Sequence, residues 1–282
     1  MLRTSSRLSS TIMDDISIIY LIRHGDRFDY ANPSWAKQQT AAGNLLTDPP
    51  LSALGHRQAR ETAQTFVDNN NKNKVSRILS SPYLRVIQTA CPTSDLLGLP
   101  ISIETGLSEA HATPGEHVLP TPEQRFAYFP QVDLEYTPLL HVQATPGHTC
   151  RRTGYPCEAF AGAYIKRMEQ FAKKLEDSFR GQTIVCFSHA ASVGLVAALL
   201  RCSLTDLKFA PCGIYQLQRT GDGPWELVSS GATNDGHVTE NSATTYAWGM
   251  GEKHFLEDDS KKYHGSSEGI GLDYFCNVTT SD

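Results

Sequence analysis

The chain has 282 residues, of which 40% are apolar and 20% are charged, and its formal net charge at neutral pH is −5. This composition is sufficient for one substantial hydrophobic core, and the mild negative charge argues against nucleic acid as a partner. No apolar run approaches the roughly twenty residues of a membrane-spanning helix, so we expect no membrane association.

The N-terminal segment, residues 1–14, is predicted to be a disordered tail. Its first ten residues are rich in serine and contain Arg3 and Arg7 but no acidic residue, which leaves an organelle-targeting peptide as the weaker alternative. The seven cysteines follow no framework spacing, which favours reduced thiols. We therefore expect a cytoplasmic protein.

Two apolar runs predict the most buried strands. The run from Ile16 to Ile22 ends in Arg23-His24-Gly25, and the run from Thr183 to Phe187 ends in Ser188-His189-Ala190. Such runs are typical of strands covered on both faces of a parallel sheet. Shorter strands are predicted at Val75–Leu79, Ile101–Glu104, Gly213–Gln218 and Trp225–Val228.

Helical segments lie between these strands. Ser52 and Ser81 are predicted N-caps of the first two helices, with Pro82 at the first position of the second, which Pro92 should kink or end. The last helix covers Ala190 to Arg201 and is apolar nearly all round. The clearest helix has an apolar stripe formed by Phe160, Tyr164, Met168, Phe171, Leu175 and Phe179.

Strands that alternate with helices predict an α/β fold, with a mostly parallel sheet and helices on both faces. We assign residues 15–230 to this domain. Residues 106–156 interrupt the alternation and are rich in Pro, His and Thr, so we interpret them as an insertion over the carboxyl edge of the sheet. Residues 231–282 are polar and rich in Gly and Ser, which predicts a partly disordered C-terminal extension.

Basic side chains gather at one edge of the predicted sheet. His24 and His189 each follow a buried strand, at the edge where open α/β sheets bind ligands. Arg27 lies three residues beyond His24, and Arg85 lies in the first turn of the second predicted helix. Together with Arg23, these groups predict a phosphate site, because guanidinium forks match phosphate oxygens in pairs.

Other histidines and cysteines are interpreted as having no role in this chemistry. A zinc site can be drawn from His148, Cys150 and Cys157, but it lacks a convincing fourth ligand and the paired spacing of such sites, so we expect no metal ion. Six of the ten histidines lie outside any such pattern, namely His56, His117, His141, His237, His254 and His264.

Several short motifs occur in a characteristic order. They are Arg23-His24-Gly25-Asp26-Arg27, Asp48-Pro49-Pro50-Leu51-Ser52, Gly55-x-x-Gln58-Ala59, Ser81-Pro82-x-x-Arg85, Gln88-Thr89-Ala90, Val132-Asp133-Leu134-Glu135-Tyr136 and Phe187-Ser188-His189. From Asp15 to about Val228 the chain resembles the histidine phosphatase (phosphoglycerate-mutase-like) superfamily. The branch it resembles contains the phosphatase domain of the suppressor-of-T-cell-receptor-signalling proteins and the ecdysteroid-phosphate phosphatases.

This resemblance implies a phosphomonoester hydrolase that needs no cofactor and forms a phosphohistidine intermediate. It makes His24 the nucleophile and Glu109 the proton donor, and it assigns phosphoryl binding to His189 and to Arg23, Arg27 and Arg85. Substrates of the branch suggest phosphotyrosine or a hydrophobic alcohol phosphate, carried on a small molecule or a phosphoprotein. Sugar and nucleotide phosphates also fit three arginines, and a sheet-edge homodimer is left open.

Two departures from the branch concern the rim of the substrate pocket and the acidic residue before Arg27. The sequence after the proton donor is Ala110-His111-Ala112-Thr113-Pro114, where relatives are rich in tryptophan, and Asp26 replaces the commoner Glu. In an extended segment Glu109 and His111 would share one face, so His111 is an alternative proton donor. We favour Glu109, whose pKa burial should raise.

Two rival enzyme classes lack their signatures in this sequence, and one rival function without catalysis stays open. A mutase-type Glu-Glu-Arg-His-Tyr-Gly segment is absent from the sequence, and no histidine directly precedes an aspartate as in the acid-phosphatase dyad. A catalytically weak phosphate-binding scaffold or signalling module on the same fold remains the alternative, because binding alone could retain the pocket.

Overall fold

The computed structural model describes residues 16–249, except for residues 33, 36–47, 69–74, 114–118, 151–153, 206 and 245. The predicted tail at residues 1–14 and the chain from residue 250 onward lie outside the described residues.

Six strands form a mixed central sheet, in the order β3-β2-β4-β1-β6-β7. Strands β1 to β4 pair in parallel, whereas β6 and β7 are antiparallel additions, and β5 pairs with β8 in a separate two-stranded sheet. This confirms the predicted α/β fold with a mostly parallel sheet. The strands are β1 (Ile16–Arg23), β2 (Val75–Ser80), β3 (Ile101–Ile103), β4 (Thr183–Ser188), β5 (Lys208–Phe209), β6 (Ile214–Thr220), β7 (Glu226–Ser229) and β8 (Trp248–Gly249).

The described residues contain six α-helices, and none of these has both the length and the apolar character that crossing a bilayer requires. Short 3-10 turns at Thr105–Leu107 and Ala190–Ser192 and a π-helical turn at Phe160–Tyr164 accompany them. The helices are α1 (Phe28–Ala31), α2 (Ala53–Asp68), α3 (Leu84–Leu97), α4 (Pro122–Phe126), α5 (Ile165–Ser178) and α6 (Val193–Leu200).

The sheet has a hydrophobic core on each face. Successive side chains of a strand point to opposite faces, so β1 contributes Ile19 and Leu21 to one core and Tyr20 and Ile22 to the other. The first core also holds Met168, Phe171, Leu175, Leu195 and Leu199 from α5 and α6, and the second holds Phe66, Val86, Ile87 and Ala90 from α2 and α3. Burial on both faces explains why the strands are continuous apolar runs.

The predicted cap of α2 is confirmed, because the Ser52 hydroxyl accepts a hydrogen bond from the Gly55 N–H at 3.0 Å. The start of α3 differs from the prediction. This helix begins at Leu84, whose N–H donates to Asp48 Oδ1 at 2.6 Å, and Ser81 does not cap it. It also continues through Pro92 to Leu97, so the proline does not end it.

The insertion packs along the edge of the sheet and across its carboxyl end. Val132 forms a parallel bridge to Ile101 of the edge strand β3, and the Ser188 hydroxyl at the end of β4 donates to the Leu107 carbonyl at 2.8 Å. Farther along, the pair Thr149–Pro156 forms an antiparallel bridge within a hairpin.

The start of the C-terminal extension packs on the α/β domain. Gln58 of α2 donates to the Ser242 carbonyl at 2.8 Å, and the Tyr246 hydroxyl donates to Asp26 at 2.9 Å. These contacts place the chain around residue 246 beside the loop that follows β1.

Candidate active site

The two histidines that follow β1 and β4 meet at the carboxyl edge of the sheet. The backbone N–H of His24 donates to the Ser188 carbonyl at 2.9 Å. The ring centroids of His24 and His189 lie 5.5 Å apart, and the ring planes form an angle of 70°. Both side chains are buried. The pairing of adjacent parallel strands therefore joins two sequence motifs that are far apart in the chain.

The backbone sets the tautomer of His24. Its Nδ1 lies 2.8 Å from the Gly25 carbonyl oxygen, which can only accept, so Nδ1 carries the hydrogen and Nε2 keeps its lone pair. Burial, reinforced by Arg85 and Arg23, holds the pKa of His24 well below its ordinary value. His24 is thus a neutral imidazole with a nucleophilic Nε2 at neutral pH.

Glycine is required directly after this histidine. A Cβ atom at Gly25 would lie 2.7 Å from the Gly55 carbonyl oxygen, so the loop after β1 can approach the start of α2 only without a side chain. The Gly25 N–H donates to the Thr89 hydroxyl at 3.1 Å, and that hydroxyl donates to the Arg85 carbonyl at 2.7 Å. The loop that carries His24 is therefore tied to the helix that carries Arg85.

The arginines of the site are all buried but differ in their existing partners. Arg23 donates through Nη1 to the Phe209 carbonyl at 2.6 Å, and its buried Nε has no hydrogen-bond partner among the described residues. Arg27 already makes a bidentate pair with Asp29, at 3.0 and 2.6 Å, and donates to the Tyr30 hydroxyl at 3.2 Å. Arg23 is therefore better placed than Arg27 to receive a new anion.

Arg85 and Ser81 hold His189 between them. His189 Nδ1 lies 3.0 Å from Arg85 Nη2 and 3.3 Å from the Glu109 carboxylate, so a donor and an acceptor share this nitrogen. On the other side of the ring, Nε2 lies 2.8 Å from the Ser81 hydroxyl. Burial lowers the pKa of His189 to about 4, and Arg85 adds to this effect against the opposing influence of Glu109. His189 is accordingly neutral at neutral pH, and Ser81 serves the site rather than a helix cap.

The carboxylate of Glu109 completes this group. It lies 3.7 Å from Arg85 and 3.3 Å from His189 and accepts the Ala110 N–H at 3.0 Å. Burial by itself raises the pKa of Glu109, but His189 and Arg85 outweigh it and lower the pKa to about 2. Since His189 is neutral, we regard the permanent charge of Arg85 as the main cause. Burial thus acts in the expected direction, but the expected net increase of this pKa was wrong, because the neighbouring positive charge prevails.

A buried ion pair that was not predicted from the sequence holds the backbone around Glu109. Arg167 of α5 donates to the Gly106, Ser108 and Glu109 carbonyls at distances from 2.6 to 3.1 Å. Its guanidinium also binds the Glu158 carboxylate at 2.8 and 2.9 Å. No sequence pattern distinguishes Arg167 from the other charged residues of this amphipathic helix, so its buried role could not be predicted.

Glu109 and His111 belong to different side-chain clusters. Ligand atoms of Glu109, His24 and His189 lie within 4.8 Å of one another, whereas His111 forms such a group with His148 and Cys157. The segment is not extended at His111, which has φ of 59°. The premise that the two candidate acids share one face was therefore wrong, and the geometry favours Glu109.

The cluster of His24, Glu109 and His189 has the donor atoms of a metal site but the surroundings of an anion site. The buried guanidiniums of Arg23 and Arg85 both act on His24 and would repel a cation. The same charges stabilise a tetrahedral oxyanion, so the arrangement can bind a phosphoryl group beside a nucleophilic imidazole.

Tyr246 is a further component that the sequence did not reveal. Its hydroxyl donates to Asp26 Oδ1, the Ser52 hydroxyl donates to Asp26 Oδ2 at 2.6 Å, and the Arg23 guanidinium lies 5.9 Å from the Tyr246 ring centroid. Tyr246 and Asp26 are 220 positions apart, and no local pattern predicts a contact at that separation.

Residues 19–233 match the histidine phosphatase superfamily (branch 1), and the chain therefore belongs to this superfamily. This confirms the resemblance found in the sequence.

Individual relatives are more distant. Over 180 residues the chain is 26% identical to the transcription factor tau 55 kDa subunit of Saccharomyces cerevisiae, a match that spans 63% of this chain but only 39% of that protein. The structure of ecdysone phosphate phosphatase from Bombix mori, in complex with tungstate, is 23% identical with a TM-score of 0.54 and covers 76% of this chain and 92% of that chain. The mycobacterial glucosyl-3-phosphoglycerate phosphatase has 20% identity and a TM-score of 0.48, covering 77% of this chain and 99% of that chain.

Proposed function

We propose that the protein is a metal-independent phosphomonoester hydrolase that works through a phosphohistidine intermediate at His24. The observation that carries this proposal is a buried imidazole whose Nδ1 is fixed on a backbone carbonyl, which leaves Nε2 as a neutral nucleophile. Arg23 and Arg85 supply the surrounding positive charge, and the unpartnered Nε of Arg23 is a donor suited to a phosphate oxygen.

The reaction follows from this arrangement. His24 Nε2 attacks phosphorus in line, and a P–N bond forms while the P–O ester bond breaks and its electron pair leaves with the ester oxygen. Arg23 and Arg85 stabilise charge on the equatorial oxygens, and Arg27 contributes from its pair with Asp29. His189 contacts the Arg85 guanidinium at 3.0 Å and holds it in place. Water then attacks phosphorus, which releases inorganic phosphate and restores the imidazole.

Glu109 supplies the proton that the leaving oxygen requires. Its low pKa makes it a carboxylate at neutral pH, but a dianionic phosphoryl group bound next to Arg85 adds negative charge beside it. Like charges raise the pKa of a carboxyl group, so substrate binding promotes protonation of Glu109. The resulting acid protonates the leaving oxygen and then, as a carboxylate, takes a proton from the attacking water.

For the substrate we propose phosphotyrosine or a hydrophobic alcohol phosphate, on a small molecule or a phosphoprotein. Aromatic rings surround the charged groups and support this choice. The Tyr83 ring centroid lies 4.9 Å from that of His189, the Arg27 guanidinium stacks 4.6 Å from the Tyr30 ring centroid, and Tyr246 lies beside Arg23.

The test is direct trapping of the intermediate. Wild-type protein mixed with labelled phosphomonoester and quenched in alkali should carry label on protein, because phosphohistidine survives alkali and decays in acid. His24→Ala should lose both the label and turnover, whereas the control His56→Ala, on the half-buried face of α2, should keep both. Turnover by His24→Ala at the wild-type rate would refute the proposal.

A second candidate function is a phosphate-binding subunit with weak or no catalysis. The 26% identity with a transcription factor subunit favours it, although the match covers less than half of that protein. Such a protein would bind phosphate or vanadate in a calorimeter, yet turn over an aryl phosphate no faster than its own His24→Ala variant. The same two proteins therefore distinguish the two functions.

A further inference from the structure

A second cluster of metal-ligating side chains lies outside the phosphate site. His111, His148 and Cys157 each offer one ligand atom, an imidazole nitrogen or the thiol sulfur, and these atoms lie within 4.8 Å of one another. Cys157 is fully buried, and both histidines are half-buried.

The hairpin near the end of the insertion brings two of these ligands together. Thr149 and Pro156 form an antiparallel bridge, and the Cys157 N–H donates to the His148 carbonyl at 3.2 Å. His148 and Cys157 are therefore cross-strand neighbours, whose Cβ atoms are typically about 5 Å apart. The Thr145 N–H also donates to the Cys157 carbonyl at 3.0 Å, which fixes the same strand a second time.

The third ligand comes from the loop that carries Glu109. The His111 ring stacks on the Phe160 ring, with the centroids 5.1 Å apart. It is also nearly parallel to the His148 ring, with the centroids 6.1 Å apart and the planes at an angle of 14°. His111 has φ of 59°, a conformation that a non-glycine residue keeps only where its surroundings hold it and that concentrates at functional sites. The backbone is held as well, since the Glu158 N–H donates to the Ala112 carbonyl at 3.0 Å.

We infer that His111, His148 and Cys157 bind a divalent transition metal ion of the zinc class, with water in the fourth position. Two imidazoles and a thiolate are ligands that zinc prefers, whereas Mg²⁺ and Ca²⁺ require oxygen ligands. Ligand atoms within 4.8 Å of one another reach tetrahedral bonds of about 2.0–2.3 Å after small side-chain rotations. Binding converts the thiol to a thiolate and releases its proton to solvent.

Such an ion would join the hairpin to the loop that carries the proton donor. The sequence alone paired His148 with Cys150 and Cys157 and lacked further ligands. Folding supplies His111 instead, and Cys150 falls outside the group of mutually close ligand atoms. The metal site is distinct from the phosphate site and does not depend on the proposed phosphatase activity.

The test is cobalt titration of the full-length protein after treatment with a chelator. One equivalent of Co²⁺ should produce a sulfur-to-cobalt charge-transfer band, and Zn²⁺ should abolish it by displacement. Cys157→Ser should lose the band. His148→Ala and His111→Gly, the latter compatible with positive φ, should weaken binding by at least the ten- to hundredfold loss typical of outer-shell substitutions.

Matched controls come from the same segment. Cys150→Ser and the exposed His141→Ala should keep the full band, and His24→Ala should keep it because the phosphate site contains no thiol. Since Cys157 is fully buried, the half-buried His148 decides the test if the serine variant fails to fold. A wild-type protein without the band would overturn the inference, as would a band that survives His148→Ala or disappears with Cys150→Ser.

Discussion

Replacing Glu109 with glutamine separates the proton from every other property of this side chain. The amide oxygen of glutamine can still accept the Ala110 N–H, which is 3.0 Å from the carboxylate in the structure. The backbone position is held independently, because Arg167 donates to the carbonyl of Glu109 itself and to those of Gly106 and Ser108 before it. We therefore expect Glu109→Gln to fold like the wild type.

The expected loss depends on the leaving group. General acid catalysis contributes roughly a hundred- to ten-thousandfold, which corresponds to about 3–5.5 kcal/mol of transition-state stabilisation. An alkyl phosphate needs the proton for its alkoxide and should lose kcat by this factor. Nitrophenyl phosphate, whose leaving group departs as a stable anion, should lose far less.

The structure also determines the direction of the change in substrate affinity. The Glu109 carboxylate lies 3.7 Å from Arg85 and competes with the incoming dianion for the same guanidinium. Removing this negative charge strengthens the effective charge of Arg85 toward phosphate, so KM should fall, or at most stay constant, while kcat falls. A structural defect would instead raise KM for both substrates.

The assay compares kcat and KM for nitrophenyl phosphate and an unactivated alkyl phosphate in the wild type, Glu109→Gln and His111→Gly. His111 belongs to the other cluster, so its variant should show a small effect that is equal for the two substrates. An equal loss on both substrates for Glu109→Gln would make Glu109 a structural residue. A leaving-group-dependent loss in His111→Gly would make that histidine the acid.

Three further predictions concern the neighbouring groups. Ser81→Ala removes the hydroxyl 2.8 Å from His189 Nε2 and leaves this buried nitrogen without its partner, so denaturant unfolding should show a loss of about 1–3 kcal/mol in the free energy of unfolding; an unchanged value would contradict a stabilising hydrogen bond between the two side chains. Burial and the adjacent Arg85 keep the pKa of His24 low, so ¹⁵N NMR should show its imidazole neutral, with hydrogen on Nδ1, while pH falls through 6.5; a midpoint near the ordinary value of about 6.5 would refute this. Vanadate should inhibit turnover, and chelator-treated His148→Ala should remain active, because the proposed chemistry uses guanidiniums in place of a metal ion; restoration of a lost activity by added Zn²⁺ or Mg²⁺ would contradict the proposal.

The sheet and the basic part of the site could be predicted from the sequence because their signals are local. A strand buried on both faces is apolar at nearly every position, so the strands before Arg23 and before Ser188 could be predicted without knowledge of their neighbours in the sheet. Parallel strands end at one edge, and this rule alone placed His24 near His189. The order of the short motifs then identified the family.

The state of each group was decided by the tertiary structure. Ser81 lies within a typical helix-start pattern, but the helix N-terminus is bound by Asp48 from another loop and the hydroxyl is used by His189. The direction of the Glu109 pKa shift depends on whether burial or the charge of Arg85 prevails, and that balance depends on a distance of 3.7 Å. No residue pattern contains such a distance.

Contacts between segments far apart in the chain could not be predicted from the sequence either. The approach of His111 to the hairpin ligands requires a left-handed backbone at one residue, and the Tyr246–Asp26 hydrogen bond spans 220 positions. Periodicity and capping report only on residues within a few positions of each other, because they arise from the geometry of one helix or strand. Which loops meet, and which charges then face one another, follows from the packing of the complete chain.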